Sequence, residues 1–342
     1  MSRNFFIGLV IGLVLGVFLV GAGYLIYSHG KLLTPGGVAT IVPRAKPLLQ
    51  YTYENLKAKT HSPSEINFEK VIASDSARVV WQIAYQSDGK RVSGIANLPD
   101  KVSSESAWTK PVILLIHGSA DFGEYYPGFG TEHLAQYLAR NGYVTIAPDL
   151  LGYGSSDSAV KDSFEDRFLT YTAVLNLISS VENTWGPSTS LRANSDLKIG
   201  IWGHSNGGQI ALSVLEISGK KIPTVLWNPV SKSFPYGILY YNDGFADKGK
   251  FLRKALADFE ADYDVEKYSL TNYWDWISAP ILLQQGSADP WVPKSWSETL
   301  NEQLTMSNKK IEYKVYSGND HNMLPNWNQA AGDTLNFFKK EL

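Results

Sequence analysis

Residues 200–208 read Gly-Ile-Trp-Gly-His-Ser-Asn-Gly-Gly, and no other stretch constrains the chain as much. An apolar run from Leu197 to Trp202 precedes the serine and reads as a buried strand. Behind it, Gln209 to Ile217 carries Ile210, Ala211, Val214 and Leu215 at helical spacing. A G-x-S-x-G pattern alone says little. Between a strand and a helix it becomes a sharp turn that lifts its serine out as a nucleophile. Side chains flanking such a turn would collide, which explains Gly203 and Gly207. Ser205 then sits at a helix N-terminus, where the dipole and free amides favour developing negative charge. The bland alternative is a Gly-rich turn holding an incidental serine.

A serine nucleophile needs a base, and the base needs an acid to orient it. Behind an elbow of this kind the partners follow in the order Ser, acid, His. The six histidines stand at 29, 61, 117, 133, 204 and 321, and only His321 follows Ser205. It lies in a polar loop after the strand-like run Ile311 to Val315. Two acids compete. Asp289 follows the strand-like run Ile281 to Gln285 across a turn marked by Gly286 and Pro290. That places it at a strand's C-terminal end, where sites form in parallel sheets. Asp320 is the rival, adjacent to His321, and sequence neighbours in a loop rarely aim at one another. The oxyanion donors expected are the backbone amides of Asn206 and of Ser119, the latter on the loop after Val112 to Ile116. His117 in that loop reads as structural.

Four stretches together resemble the α/β-hydrolase superfamily, and within it the catalytic domain of the prolyl oligopeptidase family and related acyl esterases. They are Ile113-Leu-Leu-Ile-His-Gly118, Tyr143 to Asp157, Gly200 to Gly208, and Pro280 to Pro293 with His321. The resemblance covers about residues 66–342. It implies a mostly parallel central sheet flanked by helices, with Ser205, Asp289 and His321 as the triad. Large peptidases of that family carry a β-propeller before the hydrolase domain, for which this chain has too few residues. The oxyanion strand ends His-Gly-Ser here, not the His-Gly-Gly of some esterases.

Phe5 to Tyr27 forms 23 consecutive uncharged, mostly apolar positions between Arg3 and Lys31. About 20 such residues span a bilayer core, and the h-region of a cleaved signal is usually about 7–15 residues. The expectation is a single-pass N-terminal anchor, with a cleaved signal peptide or a buried soluble helix as alternatives. A short N-terminus normally stays inside, which would export the catalytic domain. Lys31, Arg44 and Lys46 weigh the other way. The reading leans to an extracytoplasmic catalytic domain.

The expected division is an anchor over 1–30, a tether over 31–65 and a catalytic domain over 66–342. Within the last, the strand–helix alternation stops over 229–279. That stretch holds Phe234, Tyr236, Tyr240, Tyr241, Phe245, Tyr268, Tyr273, Trp274 and Trp276, and reads as a small helical lid bearing an apolar pocket. With 31 Lys+Arg against 33 Asp+Glu and no basic block, nucleic acid is not an expected partner. The absence of Cys excludes disulfides and a thiol nucleophile. No phosphate loop, clustered metal ligands or cofactor signature occurs, so no cofactor is expected.

These readings converge on a membrane-anchored serine hydrolase acting on a small acyl ester, or on an amide, through an acyl-enzyme. A serine peptidase taking short peptides is the nearest alternative, and a non-catalytic hydrolase-fold binding module is the remote one.

Overall fold

In a computed structural model, residues 45–99, 110–185 and 198–342 are described. Period-two alternation of apolar residues organises their core. In the strand Val112–Ile116, Val112, Leu114 and Ile116 join one hydrophobic cluster, while Ile113 and Leu115 join another. A strand apolar on both faces must be covered on both, the arrangement of a parallel sheet between helix layers. Among the described residues nine strands make the sheet: β1 (Asn67–Ser74), β2 (Arg78–Ser87), β3 (Lys90–Pro99), β4 (Val112–Ile116), β5 (Val144–Pro148), β6 (Ile199–His204), β7 (Thr224–Trp227), β8 (Ile281–Gly286) and β9 (Ile311–Tyr316). Their order is β1-β2-β3-β5-β4-β6-β7-β8-β9. The pairs from β5 through β9 are parallel, and β1, β2, β3 and β5 pair antiparallel with one another.

The helices are α1 (Tyr53–Ala58), α2 (Glu132–Arg140), α3 (Ser163–Trp185), α4 (Asn206–Ser218), α5 (Tyr236–Leu239), α6 (Lys250–Glu260), α7 (Lys294–Met306) and α8 (Trp327–Glu341). One face of the sheet packs Leu114, Ile201, Leu226 and Leu283 against α3 and α4. The other packs Leu115, Trp202, Val225 and Leu282 against Leu134 and Leu138 of α2 and Leu335 and Phe338 of α8. Each fully buried aliphatic side chain of this kind contributes about 1.5–3 kcal/mol.

The tether expected over 31–65 ends earlier than the sequence suggested. Pro47–Leu342 form one compact unit. Pro47–Tyr51 is a 3₁₀ turn, and Thr52 caps α1 through its hydroxyl. Tyr53 is fully buried, stacked on Tyr273 at 4.8 Å, with its hydroxyl 2.6 Å from that of Ser213 on α4. The segment is part of the hydrolase core because two aromatic residues and Leu56 find apolar partners there. Residues 31–44 and the anchor expected over Phe5 to Tyr27 lie outside the described residues. Among the described residues no helix is long and apolar enough to cross a membrane.

The region expected as a lid divides in two. Its first part, α5 with the 3₁₀ turn Asn242–Gly244, stays at the surface, with Tyr236, Tyr240 and Phe245 exposed. Its second part sinks into the core. Tyr268 stacks on Phe168 of α3 at 4.9 Å with Phe259 beside them, and Phe234, just before α5, packs into the same cluster. The aromatic run is therefore mostly a foundation for the insertion, not the wall of a pocket.

Candidate active site

The β6–α4 junction puts Ser205 in a conformation that side chains avoid, with φ 57° and ψ −121°. Holding a non-glycine residue there costs on the order of 1–3 kcal/mol, which the surroundings must offset. They do so with backbone bonds: the Ser205 N–H donates to Trp227 O at 3.0 Å, and its carbonyl accepts from Gly208 and Val230. The glycines make the turn possible. A Cβ on Gly203 would lie 2.5 Å from Gly207 O, and one on Gly207 would lie 2.1 Å from Ile116 O. Asn206 is the first residue of α4, where a helix N–H has no partner in the helix itself.

The ends of β8 and β9, beyond β7 from β6, bring the other candidates in. His321, after β9, and Asp289, after β8, meet with His321 Nδ1 2.7 Å from Asp289 Oδ2. The Asp289 side chain is fully shielded from solvent. Its Oδ1 accepts the N–H groups of Trp291 at 2.8 Å and Val292 at 2.9 Å, which fixes the carboxylate plane. Asp320, the rival acid, is used elsewhere: its Oδ1 accepts the N–H groups of Asn322 and Leu324 within its own loop. Ser205, Asn206, Ser119 and His321 line one cavity of about 600 Å³. Of the aromatic residues in the insertion, Tyr241 and Phe245 reach this cavity, joined by Val230, Gly237 and Ile238.

Two residues the sequence did not single out hold His321 in place. Asn228, fully buried with φ 44° at the end of β7, donates from Nδ2 to His321 O at 2.7 Å. Its Oδ1 accepts the N–H of Gly286 at 2.8 Å. His204 donates from Nε2 to the same His321 carbonyl at 2.8 Å. Burial, and then the charge of nearby His321, push the His204 imidazole down to about 4. It is thus a neutral donor at neutral pH. The Trp-Asn-Pro sequence after a strand was the one available signal for Asn228, since Asn tolerates positive φ.

His117 is structural, as its loop position suggested. Its ring nitrogens face Gly118 O at 2.6 Å and Asp149 O at 3.2 Å, and burial lowers its pKa. Asp149 in turn accepts from Ser93 at 2.5 Å and Tyr125 at 2.7 Å. This network pins the β4 loop that carries Ser119.

Comparison with known proteins places this arrangement. A 58-residue stretch is 45% identical to epoxide hydrolase 3 of Siraitia grosvenorii, spanning 17% of this chain and 17% of that protein. An esterase of Pyrococcus furiosus is similar in structure with a TM-score of 0.55 at 18% identity, over 82% of this chain and 98% of that one. A puromycin-hydrolysing peptidase of Mycobacterium tuberculosis gives 0.57 at 16% identity, over 79% of this chain and 40% of that one. Likeness at such identity speaks for the fold. The sequence itself carries the assignment further: residues 113–333, well over half of the chain, match the alpha/beta hydrolase family, and the elbow, the parallel sheet and the loops at its strand ends all fall within or beside that match. The chain therefore belongs to the α/β hydrolase family.

Proposed function

We propose that this hydrolase cleaves carboxylic esters through an acyl-enzyme on Ser205. Ser205 Oγ attacks the carbonyl carbon while its proton passes to Nε2 of His321. The amides of Asn206 and Ser119 hold the oxyanion, each contributing about 3 kcal/mol to the transition state. The imidazolium then protonates the leaving alcohol as the C–O bond breaks. Water repeats the sequence, giving the acid and restoring Ser205. Asp289 keeps the His321 proton on Nδ1 and stabilises the cation. The observation that carries this reading is the strained serine elbow and His321 on the wall of one cavity, with His321 paired to Asp289 at 2.7 Å.

A peptidase reading shares this machinery. Asp121 and Glu124 stand on the cavity wall and could meet a peptide's amino terminus. Both are exposed, so water screens them, which favours the ester reading. The test is a panel of 4-nitrophenyl esters beside aminoacyl and prolyl anilides. Esters should turn over, and Ser205→Ala should abolish both turnover and labelling by a fluorophosphonate. Normal labelling of that variant would overturn the assignment of Ser205, and anilide turnover exceeding ester turnover would favour the peptidase.

We also propose that Phe5 to Tyr27 anchors the protein in a membrane with the hydrolase on the extracytoplasmic side. The length of the uncharged run supports an anchor, since lipid burial gains free energy along all of it. Full-length protein should stay in the pellet after a carbonate wash. A mature N-terminus near Tyr24 would instead mean a secreted enzyme after signal cleavage.

A further inference from the structure

Arg167, in the first turns of α3, lines the same cavity as Ser205. Its Nη2 donates to Oε1 of Gln209, and its Nε is buried with no hydrogen-bond partner. No ion pair to Arg167 occurs among the described residues; the side-chain contact is the neutral amide of Gln209. Gln209 is buried, and its Nε2 lies 3.4 Å from the Tyr171 hydroxyl, so the amide that steers the guanidinium is itself held. Gln209 stands four residues after Ser205 on α4, an axial rise of about 6 Å. A half-buried cation without a counter-ion is thus held by a residue one helical turn along α4 from the nucleophile, on the wall of the same cavity.

From this geometry, and resting on the serine hydrolase reading above, we infer that Arg167 is a specificity residue for esters that carry a carboxylate. The guanidinium offers N–H donors in a planar fork that suits a carboxylate. Leaving it unpaired away from water is unfavourable, so an anionic group in the bound substrate completes a site that the protein leaves incomplete. The carboxylates that line this cavity or the adjoining one do not fill this role. Asp121 and Glu124 line the cavity but are exposed. Asp247 lines an adjoining cavity that shares Arg167, Ile238 and Phe245 as its wall. Its carboxylate already accepts the N–H groups of Gly249 and Phe251, both at 2.8 Å. The carboxylate can lie on the acyl side of the ester, as in half-esters of dicarboxylic acids, or on the leaving group.

Two substrate pairs decide the matter in the full-length enzyme. 4-Nitrophenyl hemiglutarate against 4-nitrophenyl pentanoate puts the charge on the acyl side. 4-Carboxyphenyl butyrate against phenyl butyrate puts it on the leaving group. The wild type should prefer the charged member of one pair, chiefly through KM. Arg167→Gln should lower kcat/KM for that member about 10- to 100-fold more than for its neutral partner, the range expected of a charge-assisted hydrogen bond. Arg167→Lys, which keeps the charge and loses the fork, should fall between, and it stands in if the glutamine variant does not fold. Equal losses on charged and neutral esters would show a merely structural arginine and overturn the inference. So would a wild type without preference in either pair. Turnover of neutral esters that still depends on Ser205 would then leave the hydrolase reading standing alone, whereas no ester turnover and no labelling of Ser205 would end both.

Discussion

Asn228 joins two of the three strand ends that make the candidate site, and no acid–base chemistry is asked of it. Replacing it by Ala removes the donor to His321 O and strands the N–H of Gly286, at a cost of about 1–3 kcal/mol each where burial is complete. Asn228→Ala should therefore lower kcat about 10- to 100-fold with little change in KM, and slow fluorophosphonate labelling in parallel. Asn228→Asp, which retains an acceptor for Gly286, should recover part of the loss. A fall in thermal midpoint with kcat intact would assign Asn228 to stability alone. The contrast between residues that could and could not be found beforehand follows from range. Ser205, Asp289 and His321 each sit in a local context of strand, turn and loop that sequence displays, and chain order limits the choice. Asn228, His204 and Arg167 acquire their roles only from contacts with elements 40 to 120 positions away, such as the 93 residues between Asn228 and His321. Local pattern carries no information at that separation.

Helix α4 shows the same division among elements. Its apolar spacing over Gln209 to Ile217 was legible in the sequence, and in the structure the helix runs Asn206–Ser218 and ends at Gly219 in a left-handed conformation. Helix α1 escaped because six residues are too few to display a 3.6 period, and β1 because an edge strand with Val71 and Ile72 exposed does not alternate. Within α4, Glu216 breaks the pattern: it is fully buried, and neither carboxylate oxygen has a hydrogen-bond partner. Burial raises its pKa well above the ordinary 4.5, so it is held neutral in the folded protein. The unfolded chain releases that proton above about 4.5, and the folded chain does not. Stability therefore declines as pH rises from 4.5 towards the folded pKa. Glu216→Gln should flatten that decline and be no less stable than the wild type at pH 7. Urea midpoints of both proteins from pH 5 to 8 would show it; parallel curves would mean that Glu216 is solvated.

Among the described residues the sheet gathers the candidate residues at the carboxyl ends of β6, β8 and β9, and a compact unit begins at Pro47. Removing residues 1–46 should leave thermal stability and small-ester turnover close to those of the parent in detergent. Removing residues 1–59 takes away Tyr53 and Leu56 and should lower the midpoint by about 5–10 °C, because several kcal/mol of buried apolar surface go with them. Equal midpoints for the two truncations would show α1 to be dispensable. The divided insertion between β7 and β8 has a different kind of consequence. Residues from Phe259 onward are keyed into Phe168 and Tyr53, whereas those from Tyr236 to Phe245 touch the cavity and the solvent. One chain segment thus contains a fixed footing and an exchangeable rim, with Gly249 at the joint in a left-handed conformation. Substitutions between Tyr236 and Phe245 would therefore reshape the cavity wall while the footing keeps its contacts to Phe168 and Tyr53.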